Sequence, residues 1–207
     1  MPSATCSILI VDPHAPSREV MKLYLSSVMK ERQQRELTFF EAADGREAIA
    51  LLITHKEIKV MISELNLTQL GSLEMIDIVL GKWGLQVGIF IVTGVSNHLI
   101  AEVAGDLYVY GVRGIFNKLQ LDYYELSRRI EKYLEISSTP PARERGFYCE
   151  HRQYEKEDGT SSTYTYIKWM DDSGKQSNLC VGDLGNERDR IYDNLPGIRS
   201  KKKEEKR

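Results

Sequence analysis

Short apolar runs recur along the first two-thirds of the chain, separated by stretches whose apolar residues fall three and four apart. The runs are Ile8-Leu9-Ile10-Val11, Leu37–Ala42, residues 59–63, residues 88–92 and Gly114-Ile115-Phe116-Asn117. Their length, and their bounding by polar or glycine residues, predicts buried strands. Between them, Val20, Met21, Tyr24, Leu25 and Val28 follow Pro16-Ser17 at helical spacing. Ala48, Ile49, Leu51 and Leu52 do the same after Asp44-Gly45, and residues 73–80 form a third helical stretch. Asn97 is read as the cap of a helix over 97–108, with Gly111 just past its end, and Asp122 as the cap of a last helix to Ile136. Five strand–helix units in series predict a parallel α/β sheet covered by helices on both faces.

The pattern changes after Ile136. Residues 138–146, containing Pro140-Pro141, read as a linker between a first domain over 1–137 and a small module over 147–197. In that module, residues 147–154 predict a strand, and residues 163–170 and 175–181 predict a hairpin about Asp171-Asp172-Ser173-Gly174. A short helix over 186–195 completes a β-β-β-α order. Residues 198–207, with three consecutive lysines, are expected to be a charged, disordered tail.

Composition narrows the picture only slightly. The hydrophobic fraction of 42% suffices for a core, and the net charge of −2 favours no class of partner. No apolar stretch of about 18 residues or more predicts a membrane helix, and the first residues lack a signal-peptide pattern. Three scattered cysteines, Cys6, Cys149 and Cys180, have no metal-ligand spacing and suit a cytoplasmic setting.

The candidate chemistry lies at the strand ends. The first strand runs into Asp12, the third into Glu64, the fourth into Thr93 and the fifth into Lys118. In open parallel sheets, ligands collect at the carboxyl ends of strands. Two carboxylates, a hydroxyl and an ammonium are therefore expected around one pocket.

These strand ends, together with Glu41-Ala42-Ala43-Asp44-Gly45-Arg46, Leu65-Asn66-Leu67, Ile91-Val92-Thr93-Gly94 and Gly111-Val112-Arg113-Gly114, carry a resemblance over residues 5–136. The segment resembles the receiver domain of bacterial response regulators. The resemblance implies a doubly wound, five-stranded, flavodoxin-like fold. It also implies an aspartate that accepts a phosphoryl group and a Mg2+ held by that aspartate, an acidic pair and a backbone carbonyl. A Ser/Thr and a Lys would contact the phosphoryl group.

The chain departs from that pattern at the positions that matter. Glu64 stands at the acceptor position, Pro13 replaces one member of the acidic pair beside Asp12, Ile115 stands at the aromatic switch position, and Leu119 follows the lysine. A glutamate is one methylene longer, and phosphoryl transfer depends on close positioning of the nucleophile. Mg2+ demands near-octahedral oxygen ligands, and Ile115 has no ring to swing. Thr93 and Lys118 match. The expectation is a pseudo-receiver without a phosphorylation cycle, without Mg2+ and without enzymatic activity. Two readings of Glu64 stand side by side: a carboxylate paired with Lys118, or a solvated strand-end group. Asp12 is read as a relic that holds backbone or Lys118.

In the second module, alternation places Tyr164, Tyr166 and Lys168 on one face of the hairpin, with Lys175 on the other arm. Thr165, Ile167 and Trp169 face the short helix. Exposed aromatics interleaved with lysine suit nucleic acid, although Asp171, Asp172 and Asp183 bring negative charge close by. The strand-turn-strand-helix order loosely resembles the arm-binding module of tyrosine integrases, which implies DNA contact. The expected function is a phosphorylation-independent regulator, with a protein partner or homodimer through the first domain and DNA through the second. The alternative is a protein–protein adaptor or dimerisation scaffold without nucleic acid.

Overall fold

The computed structural model describes residues 5–33, 36–136, 147–155, 160–170, 176–183 and 198–200. The chain falls into two compact units, the first of residues 1–48 and 56–141 and the second of residues 49–55 and 142–207.

Residues 5–136 alternate β1 (Cys6–Val11), α1 (Ala15–Gln33), β2 (Leu37–Ala42), α2 (Gly45–Thr54), β3 (Ile58–Ser63), α3 (Ser72–Ile76), β4 (Gly88–Thr93), α4 (Asn97–Tyr110), β5 (Gly114–Asn117) and α5 (Tyr123–Ile136). Helix α3 runs on as π-helical turns over Asp77–Lys82. The strands form one sheet in the order β2-β1-β3-β4-β5, and every pairing is parallel. This is the doubly wound five-stranded architecture that the sequence pattern predicts.

Central strands β1, β3 and β4 are buried on both faces, which explains why they read as continuous apolar runs rather than alternating ones. On one face Ile8, Ile10, Val60, Ile62, Phe90 and Val92 pack with Met21, Leu25 and Met29 of α1 and Leu126 and Ile130 of α5. The intervening residues Leu9, Met61, Ile89 and Ile91 are equally buried on the other face. Gly88 is required by this packing: a Cβ there would lie 2.6 Å from the Tyr133 ring of α5. Ser96, rather than Asn97, caps α4, its side chain accepting a hydrogen bond from the Leu99 amide. Gly111 ends that helix at φ 100, a left-handed conformation that an L side chain rarely adopts.

The second unit contains β6 (Phe147–Glu155), β7 (Ser161–Met170), β8 (Gln176–Asp183) and β9 (Ile198–Ser200), in the sheet order β8-β7-β6-β9. The pairs β6–β7 and β7–β8 are antiparallel, whereas β9 lies parallel to β6. The tail assignment is corrected at its start, because Ile198–Ser200 forms a fourth strand. A β-prone isoleucine beside an open sheet edge finds backbone partners there. The helix expected over 186–195, the turn expected over 171–174 and Lys175 lie outside the described residues. Strand β7 separates β6 from β8, with Cys149 in register with Ile167 and Cys180 with Tyr166, so the two cysteines do not pair across neighbouring strands.

Candidate functional site: a buried carboxylate–lysine cluster

The order β2-β1-β3 reverses direction between β1 and β3, and a crevice forms where the connecting loops diverge. Asp12 follows β1 and Glu64 follows β3 on the two sides of that point. Their backbones are fixed before their side chains act. The Asp12 amide donates to the Ala42 carbonyl at 3.0 Å and the Glu64 amide to the Val11 carbonyl at 2.8 Å. The Glu64 carbonyl in turn accepts from the Ser72 hydroxyl at 2.5 Å and from the Ser63 hydroxyl at 2.9 Å.

Lys118, from the end of β5, donates to both carboxylates: to Asp12 Oδ2 and, at 2.6 Å, to Glu64 Oε2. The Thr93 hydroxyl at the end of β4 donates to Glu64 Oε1. The backbone amides of Leu65 at 2.7 Å and Asn66 at 3.3 Å donate to the same oxygen, and that of Gly94 donates to Oε2 at 3.3 Å. Asp12 Oδ1 accepts from the His14 amide at 2.9 Å. Glu64 is only 8% exposed, Asp12 5%, and Thr93 fully buried. The structure thus brings Asp12, Glu64, Thr93 and Lys118 together, and Glu64 is a paired rather than a solvated carboxylate.

Burial alone would raise the Glu64 carboxyl. Hydrogen bonds from Lys118 and Thr93, with the Lys118 charge, outweigh that effect and hold it below the usual glutamate range. Burial pulls the Lys118 ammonium down, but its bonds to Asp12 and Glu64 push it up further, so it stays protonated at neutral pH. The cluster holds two negative charges and one positive charge. Each carboxylate spends an oxygen on the lysine, so the ammonium stands in the space between them. Among the described residues no group of three His, Cys, Asp or Glu side chains converges. Ile115 lies half-buried on β5, in register with Ile91.

Arg18 was not singled out by sequence. It donates to the Asp12 carbonyl at 2.6 Å and to Glu41 at 2.9 Å, while Lys22 reaches Glu41 at 2.5 Å.

In the second unit, Tyr164, Tyr166 and Lys168 do share one face of β7, and Thr165 and Ile167 are fully buried on the other. The expected exposure of Lys168 is corrected. Lys168 is ion-paired with Glu150 of β6, and its side chain is 16% exposed. Glu150 also takes Arg152 at 2.8 Å, and these bonds, that from Arg152 foremost, hold its carboxyl down to about 2. The Arg152 guanidinium lies 4.8 Å from the Tyr166 ring centre, and the Tyr154 and Tyr166 hydroxyls meet at 3.3 Å, pushing Tyr166 up to about 12. Glu150, Arg152 and Tyr154 were missed. Their signal was their spacing of two along β6, which puts all three on one face of the strand and becomes legible only once β6 and β7 are in register.

No protein-family model matches the chain, and no curated protein is similar to it. Solved structures are. A response regulator receiver protein from Pseudomonas putida is 26% identical with a TM-score of 0.52, over 63% of this chain and 98% of that one. A response regulator receiver domain protein from Clostridium thermocellum is 17% identical with a TM-score of 0.53, over 63% and 94%. The first unit therefore has the receiver fold of response regulators. No helix among the described residues is long and apolar enough to cross a membrane.

Proposed function

We propose that the chain is a signalling protein whose receiver-like unit works without a phosphorylation cycle. The observation that carries this reading is the saturation of Glu64. Thr93 and Lys118, the two side chains that a receiver would turn toward a phosphoryl group, are both already bonded to the Glu64 carboxylate. The extra methylene of glutamate carries its charge toward them, so the chain supplies in one fixed side chain part of what phosphorylation would add. That substitution is incomplete, since a phosphoryl group carries about −1.5 to −2 at neutral pH.

The same geometry disfavours Mg2+. A magnesium ion needs about six oxygen ligands in near-octahedral array. Here Pro13 supplies none, and the Lys118 ammonium holds the space between the two carboxylates. The unit acts as a protein-binding element rather than an enzyme, through a partner or a second copy of the chain.

For the second unit the paired cations favour protein contact over nucleic acid. Affinity for phosphates rests on unneutralised Lys and Arg, and Glu150 draws both Arg152 and Lys168 into ion pairs, which halves the positive charge they offer. The chain then acts as an adaptor or scaffold. The alternative, a transcriptional regulator, requires nucleic acid to bind through this unit.

Incubation with acetyl phosphate and Mg2+ followed by intact mass measurement tests the first reading. The expected spectrum is unchanged, and a phosphoryl adduct on Glu64 overturns the proposal. Fluorescence anisotropy with duplex DNA at low salt tests the second. Saturable binding there selects the transcriptional alternative.

A further inference from the structure

The core between the sheet and α1/α5 does not close at its top. Beside Asp12, Glu64 and Lys118 lies a cavity of about 280 Å³. Its floor is apolar and inaccessible from elsewhere: Ile10, Met21, Ile62 and Val92 are each at most 6% exposed. Val20 of α1, with Leu121 and Tyr123 at the start of α5, forms the walls, and Val20 is 44% exposed at the mouth. The Tyr123 ring is fixed by stacking on Tyr24 at 4.5 Å, so that wall is preorganised. Protein interiors rarely leave gaps much larger than a water molecule. An apolar space with a few converging polar groups is the usual form of a small-molecule site.

We propose that this cavity binds a neutral small molecule of about two fused rings, carrying one carbonyl or hydroxyl oxygen. Size follows from volume. An apolar cavity of about 150 Å³ admits benzene, and this one is nearly twice as large. Charge follows from the rim. Asp12, Glu64 and Lys118 together carry one net negative charge, which repels an anion. A cation meets the ammonium already standing between the carboxylates. Lys118 has three N–H donors and spends two on Asp12 and Glu64, leaving one for a neutral acceptor. Occupancy would draw α1 and the start of α5 together and so couple a chemical signal to the surface of both helices.

The proposal shares the Lys118–Glu64 pair with the phosphorylation reading but fails separately from it, because ligand binding beside the cluster and phosphoryl transfer to Glu64 are read by different measurements. The test is amide NMR of the full chain, titrated with 2-naphthol and with its charged relatives 2-naphthoate and 2-naphthylmethylammonium. The expected result is a saturable shift of the Val20, Met21, Leu121 and Tyr123 amides by 2-naphthol, with Kd below about 1 mM. Binding of both ions should be at least about tenfold weaker. Filling the mouth with Val20→Phe should weaken binding and Val20→Trp should abolish it, each variant keeping the remaining wild-type spectrum. No saturable shift, equal binding of an ion, shifts confined to other residues, or full binding by Val20→Phe and Val20→Trp would each overturn the proposal.

Discussion

Replacing Lys118 with methionine tests whether the cluster is one electrostatic unit. Methionine keeps most of the chain length and apolar stem but removes the charge. At 2.6 Å and an effective dielectric near 20, the gross attraction between Lys118 and Glu64 is about 6 kcal/mol. Desolvation of both groups offsets much of it. Removing one partner of a fully buried pair typically costs about 3–5 kcal/mol, because the other charge is left unpaired. Here two carboxylates are left facing each other, but the Lys118 side chain is 25% exposed, so water screens part of the loss. The expected cost is about 2–3 kcal/mol at pH 7.5, between the buried case and the 1 kcal/mol or less of a surface pair.

The loss should depend on pH in a defined direction. Without the ammonium, burial is unopposed by its strongest partner and the Glu64 carboxyl rises. A raised carboxyl destabilises the folded state where it must be ionised, so the variant should recover stability relative to wild type as the pH falls from 7.5 to 5. Equilibrium urea denaturation reads this directly. Trp83, 1% exposed in the first unit, reports unfolding once Trp169 is replaced by phenylalanine. A cost under about 0.5 kcal/mol at pH 7.5, or a cost unchanged between pH 7.5 and 5, would refute the account of the cluster as a coupled buried unit.

Wild-type stability of the first unit should fall as acid takes the pH below 4.5, the ordinary glutamate value. Both Glu64 and Glu41 are held lower when folded, so their contribution is present above that value and is lost as the folded groups protonate; urea midpoints from pH 7 to 3 measure it. Gly88→Ala should cost about 1–3 kcal/mol by forcing the Tyr133 ring away, whereas Gly105→Ala, with open space around it, should be neutral or stabilising; paired thermal melts distinguish them. Glu150→Gln should free Arg152 and Lys168 and raise non-specific DNA affinity several-fold at low salt. Unchanged anisotropy would show that their pairing is not what limits binding.

Much of the first unit was legible because its strands are buried on both faces. Ile8 to Val11 and Ile89 to Val92 are apolar at every position, which no other element of that length requires. The second unit was read less fully. Ile198–Ser200 gives three residues, too few for a periodicity, and its pairing with β6 depends on a segment 51 residues upstream in the chain.

The sequence by itself determined the order of strands and helices over residues 5–136, the α/β class, and which residue types end each of those strands, because these follow from local burial patterns. It also determined the face shared by Tyr164, Tyr166 and Lys168, because alternation is a property of the extended backbone. Only the tertiary structure decided which charges meet. Asp12, Glu64 and Lys118 lie 52 and 54 residues apart in sequence and form one ion-paired cluster; Glu150 crosses from β6 to neutralise Lys168. Charge pairing and cavity volume depend on distances of a few ångströms between chain segments that local pattern never relates. Glu64 and its pairing with Lys118 as one of two readings could be named from the sequence, but that Lys118 bridges both carboxylates came from the fold.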